Sequence, residues 1–137
     1  MPRVLGLDLG TRRIGVAVSS GTLATPHSVL ERAADHAADH AAEAALVDEL
    51  GAERVVVGLP LSLDGRLGPA ATAAASEAEA LGDVLAVPVE TYDERLTTVT
   101  AERSLSSLGL RGPARRRVVD KAAAAVMLQA WLDRSSP

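Results

Sequence analysis

Three acidic residues stand at positions where a carboxylate would take part in chemistry. Asp8 lies between two leucines near the end of an apolar strand pattern, Glu94 follows a later strand, and Asp120 lies on the apolar side of the last helix. Burying an unpaired carboxylate is costly, so Asp8 requires either a partner or a function. The sequence therefore offers three candidate ligands for one site.

Each of these acids also has an ordinary structural interpretation. Asp120 could form a salt bridge with Arg116 or Arg117 one turn earlier, and Asp93-Glu94-Arg95 could be a solvated charge cluster. In open α/β sheets, however, sites form at the carboxyl ends of strands, where these acids would meet. Three carboxylates in one cleft repel one another, and a hard divalent cation relieves that repulsion. Because the chain has no Cys, the set predicts Mg²⁺ or Mn²⁺ rather than zinc, with Asp93 as a reserve ligand.

The elements that must position these acids follow one another as in an α/β domain. Alternating and continuous apolar patterns predict strands over 4–9, 14–19, 27–30, 54–59 and 84–90, and helices over 35–50, 69–81, 99–108 and 113–133. The run Val55-Val56-Val57 is typical of a strand buried on both faces, which favours a central parallel strand. This order predicts a single domain over residues 1–137, with a mixed β-sheet flanked by helices.

A pair of histidines on the first helix is a second candidate metal site. His36 and His40 are four residues apart, which places both on one helical face. No glutamate separates them in the zinc-protease pattern. We therefore interpret this face as acidic and solvated.

Composition excludes several functional classes. The chain has no Cys, which removes disulfides and thiolate metal sites, and it has one Trp, one Tyr and no Phe for stacking on bases. No apolar run reaches the ~20 residues of a membrane span, and no charged and apolar leader begins the sequence, so a cytoplasmic protein is expected. The net charge of −4 argues against nucleic-acid binding, but a basic cluster at 111–121 opposes that argument.

Four blocks of the sequence resemble one family over nearly the whole chain. They are GLDLGTRRIGVAVS at 6–19, VGLPLSLDGRLGPAA at 57–71, DERLTT at 93–98 and VDKAAAAVMLQAWLD at 119–133. These blocks are similar to the YqgF/RuvX family of Holliday junction resolvases and nucleases that mature precursor ribosomal RNA. The resemblance implies an RNase H-like fold and places the family's acidic residues on Asp8, Glu94 and Asp120. Arg12, Ser20, Ser62-Leu63 and Trp131 depart from the family's usual pattern without touching these acids.

Together the residues and the resemblance predict a metal-dependent nuclease that hydrolyses phosphodiester bonds in structured nucleic acid, either precursor rRNA or branched DNA. Asp8, Glu94 and Asp120 are the predicted catalytic metal ligands. The residues expected to contact the nucleic-acid backbone are Thr11, Arg12, Arg13, Arg66, Arg95, Thr97, Arg115, Arg116 and Arg117. The loop Leu61–Gly68 is expected to close over the substrate.

Two other functions remain open at this point. One is an RNA-binding scaffold in ribosome biogenesis with little turnover. The other is an ATPase related to actin and sugar kinases, because Asp8-Leu9-Gly10-Thr11 also resembles their phosphate-binding loop. Those ATPases use two related domains, whereas this chain has the length of one. The sequence leaves open RNA or DNA, endonuclease or exonuclease, one metal or two, and the homodimer that junction resolution requires.

Overall fold

A five-stranded mixed sheet forms the centre of the structure, a computed structural model that describes residues 2–60, 66–93 and 112–134, the side chains of 112–119 excepted. The strands are β1 (Arg3–Leu9), β2 (Arg13–Ser20), β3 (Leu23–Glu31), β4 (Ala52–Leu59) and β5 (Val89–Asp93). β1, β2 and β3 pair antiparallel, and β4 and β5 extend the sheet parallel to β1, in the order β3-β2-β1-β4-β5. The predicted mixed sheet and its central β4 are confirmed.

Helices cover both faces of this sheet. α1 (His36–Leu50) and α2 (Pro69–Val84) lie on one face, and α3 (Gly112–Asp133) lies on the other. The Asp35 side chain caps α1 by accepting a hydrogen bond from the Ala38 N–H at 2.9 Å, and Gly51 ends it with a φ of 65°. No helix in the described ranges is long and apolar enough to cross a membrane.

Strand β1 contributes to both apolar cores because its side chains alternate. Leu5 and Leu7 are fully buried in the core beneath α1 and α2. Val4 belongs instead to the core beneath α3, together with Met127 and Trp131. The predicted alternation is thus confirmed, and it places Asp8 on the same face as Val4, the face that α3 covers.

Two glycines allow α3 to lie very close to β1 and β2. A Cβ atom at Gly6 would come within 2.9 Å of the Leu128 Cβ, and one at Gly15 would overlap the carbonyl oxygen of Asp120. Gly15 pairs with Asp8 across β1 and β2. The backbone of Asp120 therefore lies over this strand pair, beside Asp8.

Several predicted boundaries are wrong because strand pairing, rather than each segment's own hydrophobicity, decides where strands begin. β3 starts at Leu23 instead of residue 27, since it pairs with β2 along its whole length. α2 continues through Gly82 to Val84. β5 consequently starts at Val89, where its pairing with β4 begins, and not at residue 84. The helix predicted over 99–108 lies outside the described residues.

The face of α1 that carries His40 is not solvated, which corrects the prediction for the histidine pair. His36 is exposed, whereas Asp39, His40 and Glu43 are buried. Asp39 is tolerated there because Arg32, just after β3, pairs with it. Burial raises the pKa of Glu43 to about 8, which favours its neutral form. Among the described residues, no group of three His, Cys, Asp or Glu side chains is arranged to hold a metal.

Candidate active site

The three parallel strands end at one edge of the sheet, and Asp8 and Asp93 lie near that edge. In the register of β1, β4 and β5, Leu7 pairs with Val57, and Leu59 pairs with Asp93. Asp8 is therefore near the same level as the end of β5, two strands away, where Asp93 is the last strand residue. The predicted ligand Glu94 lies outside the described residues.

Asp8 and Asp120 come together at this edge. Burial, followed by the negative charge of Asp120, raises the pKa of Asp8 to about 6. Both effects disfavour the ionised form of Asp8, as expected for a buried acid placed next to a second acid. The structure thus brings together two of the three predicted acids, which are far apart in the sequence.

Asp120 is paired with a residue that the sequence analysis did not connect to it. Arg13 Nε donates a hydrogen bond to Asp120 Oδ2 at 2.7 Å, and both side chains are partly exposed. The alternative partners considered from the sequence, Arg116 and Arg117, have side chains outside the described part of the structure. Arg13 was expected to contact phosphate, and here it links the β1–β2 turn to α3.

The turn between β1 and β2 is tight and requires a glycine. The Gly10 N–H donates to the carbonyl oxygens of Asp8 at 3.1 Å and of Arg13 at 3.0 Å. A Cβ atom at Gly10 would lie 2.6 Å from the Arg13 oxygen. The turn leaves Thr11 and Arg12 exposed at the same edge as Asp8, where they can meet a nucleic-acid backbone.

The other predicted backbone contacts are only partly covered by the structure. Arg66 is described and exposed, at the segment that precedes α2. Arg95 and Thr97 lie outside the described residues, as do the side chains of Arg115, Arg116 and Arg117 and positions 61–65 of the predicted closing loop. The role of these residues remains a prediction.

A buried ionic network next to the turn was missed by the sequence analysis. Arg32 donates to both carboxylate oxygens of Glu77, at 2.6 and 2.9 Å, and to Asp39 Oδ2 at 3.0 Å. The acids had a detectable signal, because Asp39, Glu43 and Leu46 follow helical spacing on one face of α1. No sequence pattern indicated the position of Arg32, because this residue follows β3, and the extent of β3 depends on its pairing with β2.

Sequence comparison identifies the family. The chain matches RuvX, described as Holliday junction resolvase, over residues 2–134. It belongs to this family. One relative, from Mycobacterium sp. (strain KMS), is 48% identical to this RuvX family member over 96% of this chain and 79% of the relative's own length. Another from Mycobacterium leprae (strain Br4923) is 49% identical over 96% of this chain and 72% of its own length. Both carry the name "Putative pre-16S rRNA nuclease".

Solved structures share the fold of this RuvX family member. Thermus thermophilus RuvC in complex with Holliday junction substrate aligns with a TM-score of 0.59 and 18% identity, over 98% of this chain and 95% of RuvC. A second Thermus thermophilus RuvC structure aligns with a TM-score of 0.55 and 15% identity, over 96% of this chain and 95% of that structure's chain. This likeness confirms the predicted RNase H-like fold. The family description and the relatives' names confirm the predicted family and the predicted class of enzyme, a nuclease.

Proposed function

We propose that this RuvX family protein hydrolyses phosphodiester bonds in structured nucleic acid, using Mg²⁺ or Mn²⁺ held by Asp8, Asp120 and Glu94. The observation that carries the proposal is the placement of Asp120 beside a partly buried Asp8, whose pKa is raised to about 6. The protein accepts an electrostatic cost at this edge, and such costs are common at functional sites.

The donors at this edge fit a hard divalent cation. Carboxylate oxygens are the ligands that Mg²⁺ and Mn²⁺ prefer, and a cation between Asp8 and Asp120 would relieve their repulsion. When bound, the metal would activate water for attack and stabilise the leaving oxygen. Arg13 already offers one positive charge to Asp120, so the arginine and the metal would share or compete for this carboxylate.

Strand alternation argues against Asp93 as the third ligand, which leaves Glu94 as the residue predicted from the sequence. The Trp131 indole N–H donates to Glu90, and Tyr92 packs on the core beneath α3, so both face the side of the sheet that holds Asp8. Asp93 follows Tyr92 and therefore points to the opposite face. Asp93 remains the reserve ligand.

Exposed polar residues around the acids would hold the substrate. Thr11 and Arg12 project from the β1–β2 turn and Arg66 precedes α2, and each can contact phosphate without reading base sequence. We further propose precursor ribosomal RNA in the cytoplasm as the substrate, because the relatives are named for it. Branched DNA is the second candidate, from the family description.

A metal-titrated cleavage assay on matched RNA and DNA substrates tests the proposal. We expect Asp8→Asn, Asp120→Asn and Glu94→Gln to lose cleavage while nucleic-acid binding survives. Asp83→Asn, which neutralises an exposed acid on α2, serves as the matched control and should cleave normally. Full activity in all three variants would contradict the metal site. A parent protein that binds RNA tightly but never cleaves would instead indicate the scaffold function.

A further inference from the structure

Arg32 connects the active-site turn to two helices on the other face of the sheet. Its Nε donates to the Gly10 carbonyl oxygen at 3.0 Å, and its backbone N–H donates to the Arg12 carbonyl oxygen at 2.9 Å. Both acceptors belong to the turn that follows Asp8. One residue thus bonds to the turn at two points.

The guanidinium of Arg32 is held in a single orientation. Glu77 on α2 accepts two hydrogen bonds from it and Asp39 on α1 accepts one. Both carboxylates are buried, and Asp39 is itself held by the Ala33 N–H at 2.8 Å. Because the guanidinium donors form a rigid planar fork, fixing two nitrogens also fixes the direction of Nε–H toward Gly10.

The side of the turn that faces α1 and α2 borders open space. A cavity of about 350 Å³ lies between the turn and the two helices, and its wall includes Thr11, Arg32 and Glu77. Across this space, the hydrogen bonds of Arg32 join the turn to α1 and α2.

We propose that Arg32 is a positioning residue for the active site. It anchors the β1–β2 turn to α1 and α2, and through the turn it sets the place from which Arg13 holds Asp120. The catalytic consequence rests on the proposed nuclease function, whereas the anchoring of the turn does not. The competing explanation is that Arg32 only neutralises two buried acids.

Arg32→Lys separates anchoring from neutralisation. Lysine keeps a positive charge beside Asp39 and Glu77, but its compact ammonium cannot bond to both Glu77 oxygens while a fixed donor points at Gly10. Amide hydrogen exchange is measured in the metal-free protein at two residues. The Gly10 N–H donates within the turn to Asp8 and Arg13 and therefore reports opening of the turn, and Val57 is a buried residue of β4. Arg54→Lys is the matched control, because Arg54 also pairs with a carboxylate, Glu90, at 2.8 Å.

We expect the protection of Gly10 to fall about tenfold in Arg32→Lys, the order of one lost charged hydrogen bond, while Val57 is unchanged. Unchanged protection at Gly10 would overturn the proposal. An equal loss at Gly10 and Val57 would also overturn it, since it indicates global destabilisation by the buried acids. If the lysine variant does not fold, Arg32→Gln combined with Glu77→Gln removes both charges together and must show the same local loss.

Cleavage then tests the catalytic consequence separately. Arg32→Lys should cleave about tenfold more slowly than the parent, and Arg54→Lys should match the parent. Lost protection at Gly10 with unchanged cleavage would overturn the positioning role in catalysis. If the parent itself does not cleave any substrate, the proposed function fails, while hydrogen exchange still decides whether Arg32 anchors the turn.

Discussion

Replacing Asp8 by Asn should stabilise the metal-free protein, and the gain should grow as the pH rises. Burial and then the charge of Asp120 raise the pKa of Asp8 from 3.8 to about 6. The folded state therefore favours the protonated form of Asp8. The protonated Asp8 side chain makes its full contribution to the free energy of unfolding below about pH 4. This contribution is lost as the pH rises through about 6, because the folded protein must then hold a charged carboxylate. Asn keeps a neutral side chain of similar volume at every pH.

The expected magnitude follows from the two pKa values of Asp8. One pKa unit corresponds to about 1.4 kcal/mol, so the shift from 3.8 to about 6 limits the gain to about 3 kcal/mol above pH 7. At pH 5, Asp8 is already largely ionised in the unfolded chain but largely protonated in the folded protein. The expected gain in the free energy of unfolding at that pH is therefore about 1.6 kcal/mol. The difference between variant and parent should therefore nearly double between pH 5 and pH 8.

Urea unfolding at pH 5, 6, 7 and 8 without divalent metal measures this difference. Asp83→Asn, the exposed control on α2, should follow the parent at every pH. Asp120→Asn should change stability by about 1 kcal/mol or less, because its pair with Arg13 is partly exposed and such pairs contribute little. Adding Mg²⁺ or Mn²⁺ should stabilise the parent by mass action and should stabilise Asp8→Asn less.

A stability difference between Asp8→Asn and the parent that stays constant from pH 5 to pH 8 would refute the reasoning. It would mean that Asp8 ionises in the folded protein as easily as in the unfolded chain. A loss of stability in Asp8→Asn at pH 8 would refute it as well. Equal stabilisation of parent and Asp8→Asn by metal would contradict the assignment of Asp8 as a ligand.

Three further perturbations have definite expected outcomes. Burial, and then the negative charge of Glu77, raise the pKa of Glu43 from 4.5 to about 8, so Glu43→Gln should gain about 3.5 kcal/mol relative to the parent between pH 5 and pH 8 in urea unfolding. Gly15→Ala places a methyl group on the Asp120 carbonyl oxygen and should cost at least about 2 kcal/mol in thermal unfolding, with weaker metal binding. Replacing Arg115–Arg117 with Ala should weaken binding to unrelated sequences alike and flatten the salt dependence by up to about three phosphate contacts.

The first two of these predictions have control variants, and the third has an outcome that would contradict it. Glu49→Gln changes an exposed acid on the same helix as Glu43 and should show no added pH dependence. Gly82→Ala lies in α2, where a Cβ atom would meet Val89 at an ordinary 3.8 Å, so it should stabilise by about 1 kcal/mol. An unchanged salt slope in the arginine variant would remove those residues from the substrate surface.

Local periodicity was enough to predict one group of features before any packing was known. A strand with period two must place Val4 and Asp8 on one face and Leu5 and Leu7 on the other, and the two cores follow that division. The unbroken apolar run in β4 likewise required a central strand covered on both faces. The blocks shared with the RuvX family were readable for the same reason, because each is a short continuous segment.

The contacts between charged groups depend instead on long-range packing. Arg13 and Asp120 are 107 residues apart, and Arg32 and Glu77 are 45 apart. No local pattern relates such residues, since their distance depends on how closely α3 lies on β2 and how α2 crosses the sheet. Gly15 permits that close approach, but its effect exists only when the helix is in place. Long-range packing therefore set the pKa of Asp8 and the anchoring of its turn, whereas local periodicity had already set the face on which Asp8 lies.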